Sequence, residues 1–158
     1  ETLFNWLGQS LDGLACLDLF AGSGALGFEA ASRGAARVVM VEQDRAVFEA
    51  LKKTLGTLNA RQVELVFEDA FAYLKKNKDS FDVVFLDPPF RQNALPALFK
   101  HLGMKGALEP RARVYVESSE PFEAGEAWRE LKRARAGQVS YQLLEWRGDD
   151  QGGLPGDV

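Results

Sequence analysis

Residues 14–27 read LACLDLFAGSGALG, an apolar run that passes directly into three closely spaced glycines. The apolar part, residues 14–20, is typical of a strand buried on both faces of a parallel sheet. Apolar side chains then recur at helical spacing over residues 24–33, and Gly34 stands where such a helix would stop. The stretch therefore predicts a strand, a tight turn and a helix.

The same alternation of strand and helix continues along the chain. Further strands are predicted at residues 37–41, 63–67, 81–86 and 114–116, and helices at 45–58, 70–76 and 94–102. Two last segments, 128–135 and 138–146, flank Ala136-Gly137 and are predicted to form a hairpin. Helical crossovers between strands build a parallel sheet covered on both faces, so we predict a doubly wound α/β fold. Ligands of such folds bind beyond the carboxyl ends of the strands.

Size and composition indicate one globular domain. The chain has 158 residues, of which 46% are hydrophobic and 27% charged, and this suits a single compact core. We predict that the domain covers residues 1–147 and that residues 148–158 form a disordered tail. No apolar run approaches the length of about 18 residues that spans a bilayer, and the N-terminus lacks a signal-peptide pattern. We therefore predict a cytoplasmic monomer with no membrane partner.

The scarcity of cysteine and histidine limits the possible chemistry. Cys16 lies within the first apolar run and is predicted to be a buried hydrophobic side chain. His101 is predicted to be a polar residue at a helix end. A single histidine and a single cysteine supply neither a set of metal ligands nor the partners that Ser23 would need in a catalytic triad. We predict no metal site.

The net charge of −4 is unusual for a protein that binds nucleic acid, because lysine and arginine contacts to phosphates normally dominate such binding. Basic clusters at residues 52–53, 75–78 and 129–135 are of a kind that is usually a solvated face. The chain begins at Glu1 without a methionine. We therefore expect that an upstream piece, which could carry positive charge, is not represented in these 158 residues.

Three predicted strand ends suggest a nucleoside cleft. The glycines of the turn, Gly22-x-Gly24-x-x-Gly27, match the dinucleotide-binding pattern, so an oxidoreductase that uses a nicotinamide cofactor is one alternative. Glu42 ends the second strand, where a carboxylate can accept both ribose hydroxyls of a bound nucleoside. Asp69 follows the third strand, where it and the Ala70 amide could reach an adenine edge.

The most discriminating motif is Asp87-Pro88-Pro89-Phe90, directly after the fourth strand. Two prolines cannot continue a sheet ladder, so the chain must leave the sheet there. The Asp87 carboxylate and the Pro88 carbonyl then provide two acceptors for one amino group, and Phe90 offers a ring on which a base can stack. Neither hydride transfer nor nucleotide hydrolysis needs this motif at the end of a fourth strand.

Taken together, these motifs resemble class I S-adenosylmethionine-dependent methyltransferases. More narrowly, the sequence is similar to the bacterial RsmD-type family, which methylates a guanine N2 in small-subunit (16S) ribosomal RNA. The resemblance extends from Glu1 to about Trp146. The segments that carry it are residues 1–6, 17–27, 32–35, 81–82 and 86–90.

The resemblance implies a Rossmann-like sheet of seven strands in the order 3-2-1-4-5-7-6, with strand 7 antiparallel. It also implies S-adenosylmethionine as the cofactor and ribosomal RNA or a small-subunit particle as the partner. Gly22 and Gly24 would lie against the methionine part, Glu42 on the ribose, and Asp69 with Ala70 near the adenine. The implied cofactor-binding residues are Asp18, Phe20, Ala21, Gly22, Ser23, Gly24, Glu42, Gln43, Asp69, Ala70 and Asp87. The implied acceptor pocket is formed by Asp87, Pro88, Pro89 and Phe90.

Alternatives remain at this point. The same chemistry could act on a DNA base or on a protein side-chain amide. The cofactor fold could also belong to a non-catalytic assembly factor, although the intact Asp87 motif argues against this. The family's upstream basic segment, implicated in contacting RNA, is absent from these 158 residues.

Overall fold

The computed structural model describes residues 2–89, 93–104 and 106–148. Strands and helices alternate along most of this length, as the apolar periodicity predicts. The helices are α1 (Thr2–Leu7), α2 (Ala25–Ser32), α3 (Arg45–Leu58), α4 (Ala70–Lys76) and α5 (Leu95–Met104). The strands are β1 (Ala15–Asp18), β2 (Arg37–Glu42), β3 (Val63–Phe67), β4 (Phe81–Leu86), β5 (Leu108–Ser118), β6 (Trp128–Ala136) and β7 (Val139–Trp146).

All seven strands form one sheet, in the order β3-β2-β1-β4-β5-β7-β6. Strands β1 to β5 pair in parallel, whereas β7 runs antiparallel to both β5 and β6. The predicted doubly wound α/β class, the strand order and the antiparallel last strand are therefore confirmed. Because β1 to β5 are parallel, their carboxyl ends meet at one edge of the sheet.

Apolar side chains cover both faces of the sheet. On one face, Leu17 and Val84 pack against Leu98 of α5 in a fully buried cluster. On the other face, Phe4 of α1 lies with its ring centroid 6.1 Å from that of Phe85. Cys16 is completely buried on this second face, as its apolar surroundings predict, and burial raises the pKa of its thiol to about 12. Such a thiol stays protonated at neutral pH.

The structure corrects the predicted extent of three elements. β1 stops at Asp18, because the last ladder pair is Asp18 with Met40 and the chain then curves into the turn. β5 begins at Leu108 instead of residue 114. Its polar first half is interrupted by a register shift, with Arg111 at φ 61°, which hid the strand from a pattern of apolar residues. In the hairpin, Ala136 pairs with Val139, so the turn is Gly137-Gln138.

Within the described residues, none of the helices is long and apolar enough to cross a membrane. Nearly all of the predicted tail, residues 149–158, lies outside the described residues, and so does Phe90 of the predicted acceptor pocket.

Candidate active site

The glycine turn after β1 borders a cavity of about 420 Å³ at the carboxyl edge of the sheet, here called the glycine-turn cavity. It collects the ends of β1, β2, β3 and β4, as the crossover topology requires. Its lining residues are Leu19, Phe20, Gly22, Val41, Glu42, Gln43, Glu68, Ala70, Asp87, Pro88 and Pro89. All of these except Leu19, Val41 and Glu68 were predicted for the site, and the fold brings them together.

Glu42 ties the glycine turn to the end of β2. One carboxylate oxygen accepts a hydrogen bond from the Gly22 amide at 2.9 Å, and the other accepts from the Asp44 amide at 3.0 Å. Gly22 adopts φ +54°, a conformation that glycine reaches without steric cost. A carboxylate has about four acceptor positions, so each oxygen of Glu42 still has one for a ligand.

The next glycines serve packing beneath the cavity. Gly24 has φ +89°, and a Cβ there would lie 2.4 Å from the Phe28 ring and 2.8 Å from Leu51. A Cβ on Gly27 would lie 2.7 Å from the sulfur of Met40. The absent side chain of Gly27 therefore lets α2 approach β2 closely, and that of Gly24 leaves room for the Phe28 ring and for Leu51 of α3. Of the other predicted turn residues, Ala21 is buried and Ser23 is exposed.

Asp18 lies beneath the cavity, with a side chain that is 1% exposed. Burial raises the pKa of its carboxyl group to about 7, the Phe20 amide lowers it in part by hydrogen bonding at 3.4 Å, and the negative charges of Asp87 and Glu42 raise it further. This position suits a residue that fixes the turn more than one that contacts a ligand directly.

Asp69 begins α4 as its N-cap. Its carboxylate accepts a hydrogen bond from the Ala72 amide at 3.0 Å. The neighbours Glu68 and Ala70 line the cavity on either side of it. Glu68 also forms an ion pair with Lys76. The predicted role of Asp69 near an adenine stays a prediction, and Glu68 is a cavity residue that the sequence reasoning missed.

Asp87 opens into the cavity one residue beyond the end of β4. The walls around its carboxyl group displace water and raise its pKa to about 6, and the nearby negative charge of Glu117 adds to this. Asp87 is therefore mostly ionised at neutral pH but can still take up a proton.

Pro88 and Pro89 separate two cavities. They line the glycine-turn cavity and also a neighbouring cavity of about 350 Å³, here called the β5 cavity. The remaining walls of the β5 cavity are Asn93, Leu95, Glu117, Ser118, Ser119, Glu120, Pro121 and Phe122. A ligand in one cavity and a second ligand in the other would meet at the Asp87-Pro88-Pro89 turn.

His101 lies away from these walls, in the last turn of α5. Its ring contacts Phe71 edge-on at a centroid distance of 5.6 Å, and its Nδ1 is buried without a hydrogen-bond partner among the described residues. No group of histidine, cysteine, aspartate and glutamate that could hold a metal occurs in the described part of the chain.

Comparison with known proteins places this arrangement in a family. The sequence matches the protein family described as conserved hypothetical protein 95 over residues 1–145. It is 44% identical to the ribosomal RNA small subunit methyltransferase D of Haemophilus influenzae, over 92% of this chain and 78% of that protein. The chain belongs to the ribosomal RNA small subunit methyltransferase D family. The Escherichia coli K12 protein of the same name is 42% identical over 92% of this chain and 75% of that protein.

A solved structure agrees with this membership of the methyltransferase D family. The yhhF protein of Escherichia coli superposes with a TM-score of 0.88 at 41% identity, covering 93% of this chain and 83% of that one. The predicted resemblance is therefore confirmed, and the class I methyltransferase fold with it.

Proposed function

We propose that this chain transfers the methyl group of S-adenosylmethionine to the exocyclic N2 amine of a guanine in small-subunit ribosomal RNA. The observation that carries the proposal is the Asp87-Pro88-Pro89 turn, which lies between two cavities of ligand size. The names of the relatives support ribosomal RNA as the substrate.

The glycine-turn cavity fits the cofactor in charge as well as in volume. Its described lining includes the acids Glu42, Glu68 and Asp87 and no lysine or arginine, and the ion pair with Lys76 compensates the charge of Glu68 alone. This negative surface suits a ligand with a sulfonium cation and disfavours the two phosphates of a nicotinamide dinucleotide. Bound there, the cofactor would supply an electrophilic methyl group. Glu42 has free acceptor positions for ribose hydroxyls, and Gly22 allows close approach of the backbone.

In the proposed reaction, Asp87 and Pro88 prepare the accepting amine. The nitrogen of a guanine amine is a poor nucleophile because its lone pair is delocalised into the ring. Hydrogen bonds from its two N–H groups to the Asp87 carboxylate and the Pro88 carbonyl favour a pyramidal nitrogen and direct its lone pair at the methyl group. They also stabilise the positive charge that develops on nitrogen. Formation of the N–C bond would break the C–S bond of the sulfonium and leave S-adenosylhomocysteine. Asp87 would accept the proton that the methylated nitrogen releases and pass it to water.

A transfer assay tests the proposal directly. The chain is incubated with S-adenosylmethionine carrying a labelled methyl group and with separate fractions of small-subunit particles, naked ribosomal RNA, DNA and protein. We expect label in the small-subunit particles or their RNA, and N2-methylguanosine after digestion to nucleosides. Label confined to DNA or to protein, or a methyl group on any other atom, would refute the proposed substrate. An absence of transfer to every fraction would favour an assembly factor.

A further inference from the structure

Glu117 is a second carboxylate at the end of the sheet next to Asp87. Leu86 of β4 pairs with Val116 of β5, so the following residues of the two parallel strands, Asp87 and Glu117, are neighbours at the carboxyl edge. Their proximity is also evident from electrostatics, because the charge of Glu117 contributes to the raised pKa of Asp87.

A buried tyrosine holds the Glu117 side chain in place. The Tyr115 hydroxyl donates a hydrogen bond to Oε2 of Glu117 at 2.7 Å, and Tyr115 itself is 3% exposed. Burial and this hydrogen bond raise the pKa of Tyr115 above its usual range, so the hydroxyl keeps its proton and remains a donor. One oxygen of Glu117 is thus fixed, while the other is available to a ligand.

No cation neutralises Glu117 among residues 2–89, 93–104 and 106–148, where it forms no ion pair with lysine or arginine. The residue is half-buried and lines the β5 cavity together with Pro88 and Pro89. A half-buried carboxylate in a cleft, with one oxygen held by Tyr115 and the other free, is the kind of convergent polar group that orients a ligand. The free oxygen of Glu117 can therefore accept a hydrogen bond from a ligand in the β5 cavity.

We propose that Glu117 selects guanine as the acceptor base by accepting a hydrogen bond from its N1–H group. This inference rests on the proposed function, in which the adjacent N2 amine of the same base faces Asp87 and Pro88. Guanine presents N1–H and N2–H₂ side by side, which two neighbouring acceptors can receive together. Adenine has an unprotonated N1, whose lone pair would face the negative charge of Glu117. Glu117 thus favours guanine through a hydrogen bond and disfavours adenine through electrostatic repulsion.

A base analogue separates this role from a general structural one. After the transfer assay has located the modified guanine, RNA is prepared with guanine or 2-aminopurine at that position. 2-Aminopurine retains the N2 amine but has no proton on N1. We expect the wild-type protein to prefer guanine in kcat/KM. In Glu117→Gln the side-chain amide can donate a hydrogen bond to the unprotonated N1 of 2-aminopurine. The ratio of kcat/KM for guanine to kcat/KM for 2-aminopurine should therefore fall, on the order of tenfold or more. The intrinsic reactivities of the two amines cancel in this comparison.

Two further variants complete the experiment. Tyr115→Phe keeps the ring but removes the donor that holds Glu117, and it should lower the ratio in part. Glu123→Gln removes the same charge from an exposed position outside both cavities, and it should leave the ratio at the wild-type value. Binding of S-adenosylhomocysteine to each variant confirms that it is folded.

The two proposals fail in different ways. If wild-type protein forms N2-methylguanosine and Glu117→Gln retains both turnover and the wild-type ratio, the role of Glu117 is overturned and the proposed function stands. If wild-type protein does not methylate guanine N2, the proposed function is overturned and the selection of guanine by Glu117 with it.

Discussion

Three acidic residues at the carboxyl edge of the sheet, Asp18, Glu42 and Asp87, lie in different surroundings. Their surroundings indicate which role each of them can take. Asp18 is enclosed by protein and hydrogen-bonds backbone amides of its own turn. Glu42 faces the cavity but uses part of its capacity on two amides. Asp87 opens into the cavity with a raised pKa. Asp87 combines access from the cavity with a pKa raised to about 6, which suits it to the reacting amine.

Removal of the Asp87 carboxylate should therefore affect turnover far more than cofactor binding. We expect Asp87→Ala to lower the rate of methyl transfer by a factor on the order of 10² or more, comparable to the loss of one preorganised polar group at a transition state. Affinity for S-adenosylhomocysteine, measured by calorimetry, should change little because most of the cavity wall comes from other strand ends. Single-turnover rates close to those of the wild-type protein would remove Asp87 from the mechanism.

The raised pKa of Asp87 also predicts a pH dependence. The ionised carboxylate is the form that accepts hydrogen bonds and the proton, so the rate should rise with pH through about 6 and level off above it. Burial and the charge of Glu117 raise this pKa, so Glu117→Gln removes one of its two causes and should shift the profile to lower pH. The measurement is single-turnover methyl transfer between pH 5 and 8. A profile that is flat across pH 6 in the wild-type protein would contradict the assignment.

At the scale of elements, the packing of the glycine turn against α2 and α3 depends on Gly24. We expect Gly24→Ala to lower the free energy of unfolding by at least the ~1–3 kcal/mol that is typical of overpacking. A Cβ at this position would overlap Phe28 and Leu51, and the backbone φ of +89° is one that residues with side chains rarely adopt. Gly56→Ala is the matched control. Gly56 lies in α3 with nothing within 4 Å of a Cβ, so the same change should stabilise by about 0.5–1 kcal/mol. The free energy of unfolding of each variant is measured by urea denaturation. An equal change for the two substitutions would contradict the packing argument.

Elements with regular apolar patterns were predictable from the sequence. β2, β3 and β4 and the helix α3 occupy nearly the predicted residues, because burial on one or both faces imposes the pattern. β5 was predicted at a quarter of its length. Pro110 and Arg111 interrupt its first half, and a register shift absorbs them in a way that no local pattern reveals. The order of the strands came from resemblance to a family, since pairing between distant segments leaves no periodic signal.

Some residues of the candidate site were predicted because they end or follow apolar strands, and two others at strand ends were missed. Glu42 and Asp87 directly end or follow apolar strands and were identified as such. Glu68 was missed in favour of Asp69, although Asp69 caps a helix. Glu117 follows the apolar residues of β5 in the same way that Asp87 follows β4, which is the signal that could have found it. Its importance appears only when β4 and β5 are known to be neighbours.

At the scale of the whole molecule, one cavity and one edge of the sheet differ in charge. The glycine-turn cavity is negative, whereas the edge strand β6 carries Arg129, Lys132, Arg133 and Arg135, all exposed. Glu130 neutralises part of this charge through an ion pair with Arg133 at 3.0 Å. Arg135 lines a further cavity of about 410 Å³, which shares Glu117 with the β5 cavity. A polyanion on β6 would thus lie close to the acceptor side of the active site.

RNA binding by the 158-residue chain should accordingly be weak and depend on β6. A net charge of −4 opposes phosphate neutralisation, so we expect low affinity for naked ribosomal RNA and a shallow decline of log K with log salt concentration. The double variant Arg129→Ala with Lys132→Ala should make this decline shallower still, by about one unit of slope for each phosphate that is no longer neutralised. Lys52→Ala with Lys53→Ala, on the exposed face of α3, removes equal charge and should leave the slope unchanged. Tight binding with a steep slope that survives the β6 substitutions would show that RNA is held by another surface.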